Sequence, residues 1–253
     1  MKIPFGTISI ADKSIELINE SLANGRISSG RLVHAFEEKF ASLVGAREAV
    51  AVSSGTDALM LALAVLYDLG AKRGDEIILP ALSFVATGNA VLHAGFTPVF
   101  VDILPDTLNI DPNRIEPAIT PRTRAILPVH LMGKPAAMSQ INAIAAHYNL
   151  RVIEDAAEAH GGSYHDNNVG TLGDMAAFSL YVAHIITTGE GGIITTDSSR
   201  FAEILRSLRA HGRACKCKQC ISNLTSGYCE KRFDNKEKGD IRFFLNELAT
   251  HPK

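Results

Sequence analysis

Residues 178–192 read Phe-Ser-Leu-Tyr-Val-Ala-His-Ile-Ile-Thr-Thr-Gly-Glu-Gly-Gly, with His184 at the centre. The apolar residues Ala176, Ala177, Phe178 and Leu180 lead into this stretch, and a Gly-Glu-Gly-Gly turn leads out of it into the β-branched run Ile193-Ile194-Thr195-Thr196. That order predicts strand, exposed loop, turn, strand. Such a loop can hold a hydroxyl, Ser179, and an imidazole, His184, at the mouth of a sheet, where α/β folds bind their ligands. A lone loop histidine is more often solvated or structural, so the stretch takes its meaning from its surroundings.

Working outward, the chain alternates strands and helices. Residues 151–153 form a strand whose end carries Glu154 and Asp155, with Glu158 and His160 slightly further on. Before it come a helix over 139–148 and a strand over 124–128 that runs into His130-Leu131-Met132-Gly133. Strands over 76–79 and 97–101 flank Phe84, in a loop, and a helix over 87–93; beyond the opening stretch lie a strand over 193–197 and a helix over 201–210. The alternation implies a largely parallel sheet covered by helices on both faces, with polar residues gathered past the strand ends.

Nearer the N-terminus, amphipathic helices over 11–24 and 32–44 precede a buried strand over 49–52. The helical spacing of Val33, Phe36, Phe40 and Leu43 reads as core packing. The strand breaks at Ser53-Ser54-Gly55-Thr56-Asp57 into a helix over 58–69. Free backbone N–H groups and a helix dipole there suit an anion, and the segment reads equally as a plain N-cap made by Ser54 or Thr56.

The composition is that of an ordinary globular protein: 253 residues, 46% hydrophobic, 21% charged, with a net charge of −2. That charge gives no electrostatic case for nucleic acid or an anionic membrane. No apolar run approaches the roughly 20 residues of a membrane span, and the first residues lack a signal peptide's apolar core, so a cytoplasmic location is expected. The four cysteines, Cys215, Cys217, Cys220 and Cys229, are clustered. In a reducing compartment clustering favours a metal or cluster site over disulfides.

Taken together, Ser54-Gly55-Thr56-Asp57, Ser83-Phe84, Glu154-Asp155, Ser179 and the 189–192 glycine turn resemble the DegT/StrS family of pyridoxal-phosphate (PLP) sugar aminotransferases. The resemblance runs from Ile3 to about Phe233. It implies the large domain of the type I aminotransferase fold and a homodimer with residues of both subunits at each site. By position it implies that the amides of Gly55 and Thr56 and the hydroxyl of Ser179 bind the cofactor phosphate. Phe84 would stack on the pyridine ring, Asp155 would keep the ring nitrogen protonated, and Glu158, where Gln is frequent, would lie near the ring.

Most of the family has a Schiff-base lysine where this chain has His184. An imidazole cannot form that bond but moves protons near neutral pH. The swap resembles the family's 3-dehydratase branch, which uses pyridoxamine phosphate (PMP) on nucleotide-linked 4-keto-6-deoxyhexoses in deoxysugar and lipopolysaccharide biosynthesis. The resemblance then implies His184 as the proton-transfer base for loss of the C3 hydroxyl. The alternatives are an ordinary PLP-dependent sugar-nucleotide aminotransferase and an inactive cofactor- or metal-binding fragment.

The 212–217 and 229–233 segments resemble the branch's CDP-4-keto-6-deoxyglucose type, which carries a [2Fe–2S] cluster fed by a partner reductase using NAD(P)H. That type's remaining cysteine falls where this chain has Ala157, and Cys220 is extra. The spacing Cys-x-Cys-x2-Cys-x8-Cys fits an iron–sulfur cluster or a tetrahedral zinc ion held by all four thiolates. The expected organisation is a cofactor-binding domain over 1–210, a cysteine-rich segment over 211–233 and an unassigned tail over 234–253. The family's C-terminal small domain is expected to be largely absent.

Overall fold

The computed structural model of the chain describes residues 9–25 and 27–212. Two helices come first, α1 (Asp12–Ala23) and α2 (Arg31–Val44). Only α2 buries side chains, among them Phe40, Ala41 and Val44, and Gly45 ends it in the left-handed conformation open to glycine. The alternating part follows: β1 (Glu48–Val52), α3 (Gly55–Asp68), β2 (Glu76–Pro80), α4 (Val85–His93), β3 (Thr97–Val101), α5 (Pro112–Ile115), β4 (Thr123–Ile126), α6 (Met138–Tyr148) and β5 (Arg151–Asp155). After a small hairpin of β6 (Ser163–Tyr164) and β7 (Asn167–Asn168) come β8 (Met175–Ser179), β9 (Gly192–Thr196) and α7 (Ser199–Arg209).

Seven strands form one sheet in the order β1-β9-β8-β5-β4-β2-β3. From β8 through β3 every pairing is parallel, while β9 runs against both its neighbours. The expected parallel sheet therefore holds for its body. The reversal follows from the 180–191 segment, which returns the chain beside β8 without the crossover helix a parallel neighbour requires.

Both faces of the sheet are covered, so its strands are apolar almost throughout and alternate residues serve two cores. Val50, Ile77, Leu79, Ala125, Ile153, Ala177 and Ile194 pack with α3, α4 and α7. On the opposite face Ala49, Ala176, Phe178 and Ile193 meet α2, and Ile78, Ile126 and Val152 meet α6. At the outer edge, Glu37 accepts the Ala51 N–H (2.8 Å), Arg209 donates to the Ala51 carbonyl (2.8 Å), and the two charges pair. This clip occupies backbone groups that an open edge would offer to another chain. Among the described residues no helix is long and apolar enough to cross a membrane.

The element boundaries differ from expectation in ways that matter for the site. Helix α3 begins at Gly55, not Ala58, because Ser54 Oγ accepts the Asp57 N–H (3.0 Å) and caps the helix there. Ser179 is the buried last residue of β8, not part of the exposed loop. Strand β5 extends through Asp155. The C-terminal ends of β1, β2, β5 and β8, with the start of β9, all open on one side of the sheet.

Candidate active site

A cleft of about 620 Å³ lies over these strand ends. Gly55, Thr56, Phe84, Asp155, Glu158, Ser179 and His184 all line it. Segments more than a hundred residues apart in sequence are thus gathered by strand order.

One end of the cleft is the start of α3. The Ser54 cap uses the Asp57 N–H and not the amides of Gly55 and Thr56, which stand at the positive end of the helix dipole in residues that line the cleft. The N-cap reading is thus met by Ser54, and the cap is compatible with an anion beside the same turn. Ser179 comes so close that a Cβ on Gly55 would lie 2.6 Å from Ser179 Cβ and 2.9 Å from its Oγ. Only glycine allows the start of α3 to come this close to Ser179, and a helix start beside a hydroxyl is an arrangement suited to a phosphate.

Asp155 lies elsewhere in the cleft, at the end of β5, and is buried. Its Oδ2 accepts the Thr87 hydroxyl (2.7 Å) and its Oδ1 the Ala157 N–H (3.2 Å). Burial pushes its carboxyl above the usual carboxylate range, while those two hydrogen bonds pull the other way. Such a carboxylate gains by pairing with a cationic N–H, so the residues fit a cofactor with an anionic ester and a protonated ring nitrogen.

His184 sits on the excursion between β8 and β9. Leu180 closes the neck: its N–H donates to the Gly191 carbonyl (2.9 Å), and its carbonyl accepts from the Thr188 N–H (3.1 Å) and the Thr187 hydroxyl (2.8 Å). His184 is half-buried, with the Tyr181 ring edge-on at 6.1 Å between centroids. No lysine lines the cleft among the described residues.

Other polar residues past the strand ends divide differently from expectation. Glu158 lines the cleft, but its Oε2 accepts the Met132 N–H (2.8 Å) and holds a turn in which Met132 is left-handed. Glu154 turns away from the cleft and is fully buried. It accepts from the amides of Gly170 (3.0 Å), Leu172 (2.8 Å) and Gly173 (2.8 Å) and lies 3.0 Å from His130 Nε2. His130 Nδ1 accepts the Ala136 N–H (3.1 Å), so Nε2 carries the proton that meets Glu154. His160 also leaves the cleft, lying against Phe40 and Phe178 with both ring nitrogens buried and without a partner among the described residues. Burial, and secondarily His184, lower its pKa to about 4.

Two cleft residues escaped the sequence reading. Thr87 is a buried hydroxyl in the first turn of α4, and His130 is a buried residue of the lining. A hydroxyl four residues after Ser83, where a strand end gives way to a helix, was the available signal for Thr87. Cys215, Cys217, Cys220 and Cys229 and the 234–253 tail lie outside the described residues. Among the described residues no group of three or more His, Cys, Asp or Glu could hold a metal ion.

The sheet order and the cleft over its strand ends define the fold of the PLP-dependent aminotransferases. Residues 9–234 match the DegT/DnrJ/EryC1/StrS aminotransferase family, and the chain belongs to it. The chain is 48% identical to the GDP-perosamine synthase of Caulobacter vibrioides, over 73% of this chain and 49% of that protein. It is 41% identical to the dTDP-4-dehydro-2,6-dideoxy-D-glucose 3-dehydratase of Saccharopolyspora spinosa, over 91% of this chain and 50% of that protein. Among solved structures, the Escherichia coli GDP-4-keto-6-deoxy-D-mannose-3-dehydratase with bound hydrated PLP matches with a TM-score of 0.79 and 36% identity, over 84% of this chain and 56% of that one. The chain spans about half the length of the curated relatives it matches.

Proposed function

We propose that this chain serves PMP-dependent removal of the C3 hydroxyl from a nucleotide-linked 4-keto-6-deoxyhexose. The observation that carries the reading is the imidazole of His184 in a cleft with an anion cradle, a buried carboxylate and no lining lysine among the described residues. The likeness to two 3-dehydratases supports it.

When bound, PMP would supply the amine that condenses with the C4 ketone and a ring that accepts the electron pair left by the proton on its amine-bearing carbon and passes it on to expel the C3 hydroxyl. The Gly55 and Thr56 amides and the Ser179 hydroxyl bind the phosphate. Asp155 holds the proton on the ring nitrogen. Phe84 covers a ring face at the cleft mouth, with Glu158 beside the ring. His184 takes a proton from the carbon bearing the cofactor amine, a role that suits a group changing charge near neutral pH.

The division into a cofactor-binding unit over 1–210 and a cysteine segment over 211–233 belongs to this proposal. So do a [2Fe–2S] cluster on Cys215, Cys217, Cys220 and Cys229, with zinc as the alternative, and a reductase as electron donor. The exposed apolar side chains of Phe84, Val85 and Phe100 support a homodimer that would cover them. The identity to GDP-perosamine synthase favours aminotransfer as a second reading; that no lysine lines the cleft among the described residues opposes it.

The test is an absorption spectrum of the anaerobically purified chain, with iron, sulfide and zinc assayed and PMP and the keto-sugar then added. Bound PMP and a 3-deoxy product that disappears in His184→Asn support the dehydratase, and equal iron and sulfide add the cluster. Zinc or no metal removes the electron-transfer role and leaves regeneration from glutamate. A covalent PLP band in the parent chain would establish the aminotransferase instead. No cofactor binding at all would overturn both.

A further inference from the structure

Helix α4 buries three side chains, Thr87, Ala90 and Val91, and one of them is a hydroxyl where apolar packing needs none. A valine would match the shape of Thr87 without burying a polar atom. Thr87 Oγ1 lies 2.7 Å from Asp155 Oδ2 and 2.6 Å from Ser83 Oγ. An ionised carboxylate only accepts, so the Thr87 proton points at Asp155 and the Ser83 proton at Thr87. With Oδ1 held by the Ala157 N–H, both carboxylate oxygens are fixed and rotation of the group is blocked.

We infer that Thr87 is a positioning residue for Asp155, with Ser83 orienting Thr87, and that this hydroxyl pair aims the carboxylate into the cleft and keeps it ionised. Its value to the reaction rests on the reading of Asp155 as partner of the cofactor's ring nitrogen. The titratable groups around Asp155 are His130 from the segment after β4 and Glu158 from the turn after β5. His184 shares the cleft, and α4 and the loop before it bring hydroxyls alone to the carboxylate. Because burial already drives Asp155 toward its neutral form, a hydrogen bond to the charged form has a large effect on its state.

The test uses the full chain and the variants Thr87→Val, Thr87→Ser and Ser83→Ala, with Asp155→Asn as reference. Infrared difference spectra against Asp155→Asn, taken without cofactor over a pH series, isolate the Asp155 carboxyl. Thr87→Val is expected to raise its titration midpoint by about one pH unit, the size of one hydrogen bond to a charged group. Thr87→Ser restores the parent midpoint, and Ser83→Ala shifts it by less. Affinity for PMP falls about tenfold in Thr87→Val, most at the acidic end, where neutral Asp155 no longer holds the ring proton.

A folded Thr87→Val with the parent midpoint overturns the inference. Should that variant not fold, Thr87→Ala and Ser83→Ala carry the test, and a parent midpoint in both overturns it. If the midpoints move as expected but Asp155→Asn binds PMP as tightly as the parent, the hold of Thr87 on Asp155 stands and the ring-nitrogen reading fails.

Discussion

Gly55→Ala separates the packing of the anion cradle from its chemistry. The added Cβ would lie 2.6 Å from Ser179 Cβ, 2.9 Å from its Oγ and 3.2 Å from its Cα. Carbon atoms attract best near 3.5–4.0 Å, so α3 and the end of β8 must part by about 1 Å. Neither moves freely, because α3 is packed into the core over most of its length and β8 is buried along its whole length. Overpacking of this kind costs about 1–3 kcal/mol, and the better helix propensity of alanine returns at most ~1 kcal/mol. The expected net loss is about 1 kcal/mol in urea unfolding, with at least a tenfold loss of affinity for PLP as the amides and hydroxyl separate. Adding Ser179→Gly removes the offending Cβ together with the hydroxyl. The double variant should regain stability in a double-mutant cycle while its affinity stays low. Pyridoxal without the phosphate should bind all these forms alike. A Gly55→Ala chain as stable as the parent that binds PLP equally well would refute the convergence of Gly55 and Ser179 on a phosphate.

The Asp155 carboxyl has a folded pKa raised above its unfolded value of 3.8, so the native state loses stability as pH rises through that window. Asp155→Asn should therefore raise the melting temperature of the cofactor-free chain at neutral pH, with no gain below the unfolded pKa; equal melting at all pH values would refute the burial argument. His160 is lowered from 6.5 to about 4, so stability is lost as pH falls through that interval. Allowing for screening at a partly exposed ring, His160→Phe should remove about 1–2 kcal/mol of that acid sensitivity, read from urea midpoints against pH; an unchanged slope would contradict it. Arg209→Ala leaves Glu37 buried beside the Ala51 amide and should destabilise the chain by about 2 kcal/mol, with Glu37→Gln in the same background recovering part of it. Independent, additive effects in that pair would show that the clip is not a unit.

The strand ends were legible because strands covered on both faces are short apolar runs, and the residues just past such runs are the ones a sheet offers to ligands. Gly55, Asp155, Ser179 and His184 were found that way, and the structure brings all four to one cleft. Adjacent carboxylates were harder. Glu154 and Asp155 follow one another in sequence, but a strand sends neighbours to opposite faces. The partners that absorb Glu154, His130 and the 170–173 amides, come from distant segments with no local signature. His160 looked like one more polar residue past β5, yet the chain turns it onto Phe40 and Phe178. Thr87 was read as part of a helix, correctly, and its function depends on a partner 68 residues away. Helical periodicity marks a residue as inward-facing without showing that it meets a carboxylate there.

The cleft gathers the features that weaken an empty fold: a buried carboxylate displaced toward its neutral form, and a glycine with no room for a methyl group. They make sense together once the two helix starts are considered. Helix α3 presents open amides at one place, and α4 brings its first turn within one hydrogen bond of Asp155 at another. The first dipole suits an external anion; the second lies beside a negative charge that the protein itself supplies. Between them the lining is largely apolar, with Leu59, Val129 and Ala157. A ligand that satisfies such a cleft is flat, apolar in its middle, anionic at one end and cationic at the other. Binding it would relieve the buried carboxylate directly, so the free energy withheld from the empty fold is returned on loading.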